Sequence, residues 1–142
     1  MSGHPFQFPV DIRLNDIDAA GVMFFAQYFH FAHDAYEAFM SEIGFPLHEL
    51  IRRKTLLPLV HSEADYLEPL HHGDRLNIIL GIEHIGTSSF SVQYRFINSR
   101  DQVAARLKTT HVMLNPQDLR PMELPAALRE RLSQYTLEAP DD

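Results

Sequence analysis

The stretch that decides the reading is Asn15–Ile43, NDIDAAGVMFFAQYFHFAHDAYEAFMSEI. It opens on two acids, Asp16 and Asp18, with one residue between them. A small Ala19-Ala20-Gly21 turn follows. From Phe25 to Ile43 there is then neither Pro nor Gly. The larger apolar residues fall at Tyr28, Phe29, Phe31, Tyr36, Phe39, Met40 and Ile43, with Ala26, Ala32, Ala35 and Ala38 between them. That spacing predicts a helix buried on most of its circumference. The start of such a helix offers unpaired N–H groups and the positive end of the dipole. A carboxylate fixed just ahead of it can attack a carbonyl, or activate water against one, while those N–H groups polarise it. The plainer alternative for Asp18 is an Asx turn or a helix-entry cap. Asp16 lies on the same side as Asp18 if the segment is extended, and a structural hydrogen-bond role is preferred for it.

Working outward, Gly44 ends the helix and Pro46 follows it. Upstream, Phe6–Leu14 alternates Phe8, Val10, Ile12 and Leu14 against polar neighbours and predicts a first strand. Pro5 and Pro9 keep it from being a fully paired central one. Downstream, Leu47–Lys54 reads as one or two helical turns. Four extended runs come next at hairpin spacing: Leu57–Leu67, Arg75–Ile85, the Phe90–Phe96 alternation and Val103–Leu114. Leu124–Tyr135 predicts a short terminal helix, and Glu138–Asp142 a frayed acidic tail. One helix followed by consecutive strands indicates an α+β class with an antiparallel sheet of about five strands. A helix apolar over so much of its surface calls for a curved sheet wrapped round it.

Composition narrows the function. The 142 residues suit a single domain, 1–142, with a proper core. There is no Cys, hence no thiolate metal site and no Cys nucleophile. A net charge of −7 disfavours a general nucleic-acid binder. MSGHPFQF lacks the order of a signal peptide, and no apolar run approaches the roughly 20 residues of a membrane span. The expectation is a cytoplasmic protein with neither nucleic acid nor membrane as a partner. His30 and His33, and His33 and Glu37, share a helix face. With no third ligand placed by spacing they read as surface or interface positions, and no metal is expected. His71 and His72 read as turn residues, and His111 as buried and paired.

Asp16-Ile17-Asp18-Ala19-Ala20-Gly21-Val22, followed by Phe24-Phe25-Ala26-Gln27-Tyr28, resembles the hotdog-fold acyl-CoA thioesterases, in the 4-hydroxybenzoyl-CoA thioesterase branch. Leu57-Pro58-Leu59-Val60, the His72-Gly73-Asp74-Arg75-Leu76 turn and the order of elements extend the resemblance over nearly the whole chain. Within the branch, Asp18–Val22, Phe25-Ala26 and His33-Asp34-Ala35-Tyr36-Glu37 are most similar to 1,4-dihydroxy-2-naphthoyl-CoA hydrolases of phylloquinone and menaquinone synthesis. A short-chain subgroup carries His where Phe25 stands. The resemblance implies a homodimer or homotetramer with the active site at the dimer interface, an acyl-CoA substrate and no cofactor.

On that resemblance Asp18 is the catalytic carboxylate, as nucleophile or as general base, and the Phe25 backbone N–H is the donor to the thioester oxygen. Gly21 lets the backbone turn sharply and the thioester come close, with Val22 beside it. Phe24, Phe25, Tyr28 and Tyr66 are available to line an aromatic acyl pocket, and the family places the region of His61 and Ser62 near it. One departure stands out. A basic run at the start of the Thr87–Tyr94 strand in the branch's first member is replaced here by the uncharged Gly86-Thr87-Ser88-Ser89. Two other functions compete with aromatic acyl-CoA hydrolysis: a broad fatty acyl-CoA or acyl carrier protein thioesterase, and a non-catalytic acyl-CoA-binding dimer.

Overall fold

The structure, a computed structural model, describes residues 5–137; the expected acidic tail at 138–142 lies outside them. The alternating runs form five antiparallel strands: β1 (Phe6–Asp11), β2 (Leu59–Tyr66), β3 (Arg75–Ile85), β4 (Ser89–Ile97) and β5 (Val103–Val112). The expected α+β class is what forms. The strand order, however, is β1-β3-β4-β5-β2, so β2 is no hairpin neighbour of β3. The connection from Leu67 to Asp74 contains Pro69 and is too long for a tight hairpin. β2 instead pairs with β5, Ser62 opposite Thr109 and Tyr66 opposite Ala105.

One face of this sheet carries the core. Leu76, Ile78, Leu80 and Ile82 of β3, and Phe90, Val92, Tyr94 and Phe96 of β4, are buried there, with Ala105 and Leu107 of β5. The long helix α1 (Phe25–Glu42) lies on that face and buries Tyr28, Ala32, Ala35, Tyr36, Phe39 and Met40. Its burial is narrower than the composition suggests. Phe25, His30, His33, Asp34, Glu37 and Ser41 are exposed. A sheet on one side covers only one side of a helix, and polar residues three and four apart line the other. Leu14, expected to point inward, is 70% exposed, because β1 ends at Asp11 and the chain turns through a short 3-10 segment, Leu14–Asp16.

Two short helices complete the chain, α2 (Leu47–Arg52) and α3 (Ala126–Ser133). After α3 the chain returns to β3. Ile82 N–H donates to Tyr135 O at 2.9 Å, and Leu137 N–H donates to Ile82 O at 2.8 Å. This segment takes up β3 beyond Leu80, where the pairing with β1 stops. Gly81 eases the approach: a Cβ there would run into the Leu137 side chain.

Candidate active site

The loop ahead of α1 is built by its two acids in different ways. Asp16 is 5% exposed. Its Oδ2 accepts the Arg13 N–H at 2.8 Å and its Oδ1 accepts Gln27 Nε2 at 2.7 Å. Its carbonyl accepts the Phe24 N–H at 2.9 Å. A buried carboxylate with no such partners would be costly; here it pins the loop to the first turn of the helix. Asp18 is exposed. Its Oδ1 accepts the Ala20 N–H at 2.8 Å, which is the Asx turn foreseen as the plain reading. Gly21 N–H donates to Asp18 O at 3.0 Å, and Gly21 has φ +83°, a conformation suited to a residue without Cβ. The second Asp18 carboxylate oxygen has no hydrogen-bond partner among the described residues. The turn therefore orients the carboxylate and leaves half of it available.

Phe24 caps α1 with extended backbone, and among the described residues no side chain bonds to that end. Phe24 N–H is taken by Asp16 O, and Gln27 N–H by Phe24 O at 2.9 Å. The N–H groups of Phe25 and Ala26 are the helix-start donors left over. A cavity of about 380 Å³ opens beside them, lined by Asp18, Val22, Phe24, Phe25, Tyr28 and Tyr66, among others. Gly21 shapes the turn without lining this cavity. The Tyr66 ring meets Tyr28 edge-on at 4.8 Å, and its hydroxyl donates to Phe25 O at 3.4 Å. Burial, and then the neighbouring Tyr66, push the Tyr28 phenol up, so it is neutral at ordinary pH.

His61 and Ser62 do not join this group, and they part from each other. A bulge between Leu59 and His61 shifts the register of β2. It leaves Ser62 on the inner face opposite Thr109, and His61 opposite Thr110 on the outer face, 3.0 Å from Glu63. Ser62 lines a second cavity, about 510 Å³, together with His33, Leu59, Tyr94, Thr109 and His111. Tyr94 Oη lies 2.9 Å from Thr109 Oγ1, which lies 3.0 Å from His111 Nε2. The imidazole stacks on Tyr36, at 4.3 Å and 8°, and has Phe90 as its cross-strand neighbour, at 5.4 Å and 21°. Burial first, then His33, push His111 down to about 4, so the ring is neutral. His111 meets the expectation of a buried, paired histidine. Tyr94 and Thr109 were not anticipated as site residues. Their signal is on the inner face of β5, where Ala105 and Leu107 are followed by Thr109 and His111.

The uncharged Gly86–Ser89 turn is not without a cation. Arg129 of α3 donates to the carbonyls of Gly86 and Thr87 at 2.8 and 3.0 Å.

Comparison with known proteins agrees with this geometry. The family model of the thioesterase-like superfamily matches residues 12–132. The chain belongs to that superfamily. Among its relatives, the 1,4-dihydroxy-2-naphthoyl-CoA hydrolase of Synechococcus elongatus is 39% identical over 129 residues, covering 89% of this chain and 94% of the relative. The crystal structure of a 1,4-dihydroxy-2-naphthoyl-CoA thioesterase from Synechocystis superposes with a TM-score of 0.85 at 31% identity, over 90% of this chain and 95% of that one. A gentisyl-coenzyme A thioesterase superposes with a TM-score of 0.79 at 26% identity, over 89% and 98%. The thioesterase-like chain thus has the hotdog arrangement that its residues resemble. Among the described residues, no helix is long and apolar enough to cross a membrane.

Proposed function

We propose that this chain hydrolyses the thioester of an aromatic acyl-CoA, 1,4-dihydroxy-2-naphthoyl-CoA foremost, to the free acid and CoA. The observation that carries the reading is the half-free Asp18 carboxylate in one cavity with the uncapped start of α1. The thioester oxygen accepts the Phe25 N–H, and the helix dipole favours the charge that develops on it. Asp18 brings the attacking oxygen, either its own or that of a water from which it takes the proton. The thiolate of CoA leaves and is protonated; where Asp18 itself attacks, water then cleaves the resulting mixed anhydride to release the acid and restore the carboxylate. The reaction needs water and no further cofactor. The relatives named above support the substrate class, since both acyl groups are hydroxylated aromatic rings.

The working form is a homodimer, or a tetramer of dimers, in the cytoplasm. Edge strand β2 supports this. It presents Leu59, Val60 and Tyr66 to solvent, next to the exposed Leu67, Phe24 and Phe25, and an open apolar edge invites a second strand. Light scattering is expected to give a mass of two or four chains; a monomer at micromolar concentration overturns the assembly.

The test of function is thiol release from benzoyl, hydroxybenzoyl, dihydroxynaphthoyl, short-chain and long-chain CoA thioesters, with wild type and Asp18→Asn side by side. Fastest turnover is expected for the naphthoyl thioester, with Asp18→Asn nearly inactive. A preference for long aliphatic chains replaces the aromatic substrate, and binding without turnover of any member replaces the enzyme.

A further inference from the structure

Every inward-facing residue of β3 from Leu76 to Ile82 is apolar, as are Phe90, Val92 and Phe96 of β4 and Ala105 and Leu107 of β5. The exceptions on this face cluster. Tyr94, Thr109 and His111 adjoin one another, all three are buried, and all three line the same 510 Å³ cavity. Filling a core needs no such chain, and polar groups buried there add risk unless each is satisfied.

The chain is satisfied internally, with capacity to spare. Two links join three groups, Tyr94 Oη to Thr109 Oγ1 and Thr109 Oγ1 to His111 Nε2. If His111 Nε2 accepts, the Thr109 hydrogen goes to it and the Tyr94 hydrogen goes to Thr109. If Nε2 donates, the order reverses and the Tyr94 O–H is left to donate. In both cases lone pairs remain on the two hydroxyl oxygens and Thr109 has no hydrogen to spare. What Thr109 can take from a ligand is a donor. An aliphatic acyl chain or a bare aromatic ring offers none; a phenolic O–H does. The ring of His111 is fixed by stacking on Tyr36 and by Phe90 beside it across the sheet, so the row of acceptors is held in place before a ligand arrives.

We propose that this cavity takes the ring of a hydroxylated aroyl thioester, and that the Thr109 and Tyr94 hydroxyl oxygens accept a ring O–H and so select hydroxylated over unsubstituted aromatic acyl groups. The proposal rests on the thioesterase reading and names what that site discriminates. Ser62 and Leu59 of β2 form the rim of the cavity. The Asp18 cavity is bounded by the other end of β2, at Tyr66 and Leu67. Antiparallel pairing of β2 with its copy about a two-fold axis reverses the strand. The Leu59–Ser62 end of one chain then meets the Tyr66–Leu67 end of the other, and one chain's acceptor row faces its partner's helix start. Thr109 and Tyr94 act on the ring and take no part in the bond making.

The experiment measures kcat/KM for 1,4-dihydroxy-2-naphthoyl-CoA and for 2-naphthoyl-CoA, with wild type, Thr109→Val and Tyr94→Phe. Each substitution deletes one hydroxyl and keeps the volume. The ratio of the two kcat/KM values is expected to favour the hydroxylated thioester in wild type and to fall about 10- to 100-fold in Thr109→Val. Tyr94→Phe, which keeps the ring, carries the same test if Thr109→Val does not fold. A ratio that stays at the wild-type value in the folded variants, or both substrates declining in parallel, overturns the proposal while the thioesterase reading stands. A wild type that turns over neither aroyl thioester overturns both.

Discussion

The groove between α1 and β2 has two ends, and they are made differently. At the helix start, the Asp18 cavity is built from one local stretch: two acids, a glycine turn and the first turn of α1, with only Tyr66–Pro69 coming from elsewhere. Halfway along the helix, the second cavity draws Tyr94, Thr109 and His111 from β4 and β5 and Ser62 from β2. The first end has exposed donors and a carboxylate with an oxygen to spare. The second has buried acceptors already bonded to one another. On the proposed function, the contrast is between a place where charge is handled and a place where shape and hydrogen-bonding pattern are read.

The largest expected effect breaks the first end alone. Asp18→Asn keeps a side-chain oxygen for the Ala20 N–H, so the turn survives. It removes the carboxylate, and kcat is expected to fall about 10²- to 10⁴-fold with little change in melting temperature. Activity near wild type would move the chemistry away from the helix start.

The next effect belongs to the second end and is one of stability. Unfolded, His111 takes up a proton near its ordinary value of 6.5; folded, burial and then His33 hold it neutral to about 4. The folded chain therefore binds fewer protons between those values. The contribution of His111 is complete above pH 6.5, declines as the pH drops through it, and is lost below about 4. The whole span is about 3 kcal/mol. Denaturant unfolding of wild type and His111→Gln at pH 7, 5 and 4 isolates it, because the carboxylates titrate alike in both. The difference between the two proteins is expected to shrink on acidification; a constant difference removes the buried neutral ring.

A smaller effect links the ends. Asp16→Ala strips the Arg13 N–H and Gln27 Nε2 of their acceptor, and a loss of about 2 kcal/mol is expected. Activity should fall along with stability, because Asp16 holds the Asp18 turn against the helix. Undiminished turnover in a folded Asp16→Ala protein would show that the turn positions itself.

These two ends differ in how far the sequence alone discloses them. α1 was legible to within a residue, because a long run without Pro or Gly and with helical apolar spacing has few other solutions. The structural role of Asp16 and the burial of His111 were also legible, and β3 and β4 followed from strict alternation. The place of β2 was not, since adjacency in a sheet is a long-range property and the spacing of Leu57–Leu67 and Arg75–Ile85 reads equally as a hairpin. His61 lies apart from both cavities for a smaller reason. One extra residue in a bulge sends every later side chain to the opposite face, and nothing in Leu59-Val60-His61 announces it. Tyr94 and Thr109 were hidden because each looks ordinary in its own strand; only the pairing of β4 with β5 and the turn of α1 above them bring them to one cavity.

The return of the chain to β3 at Gly81 bears on how far an assembly of this protein can grow. A sheet with two sticky margins adds copies without end and makes a fibre. Here one margin is finished by β1, which carries Pro9, and by the Tyr135–Leu137 segment bonded to Ile82. The other margin, β2, is bare. A ribbon with a single open side can be extended once, so joining through it closes at two chains and stops. A side chain at position 81 would press on the Leu137 side chain, so the small residue there helps keep that margin closed and the contact self-limiting.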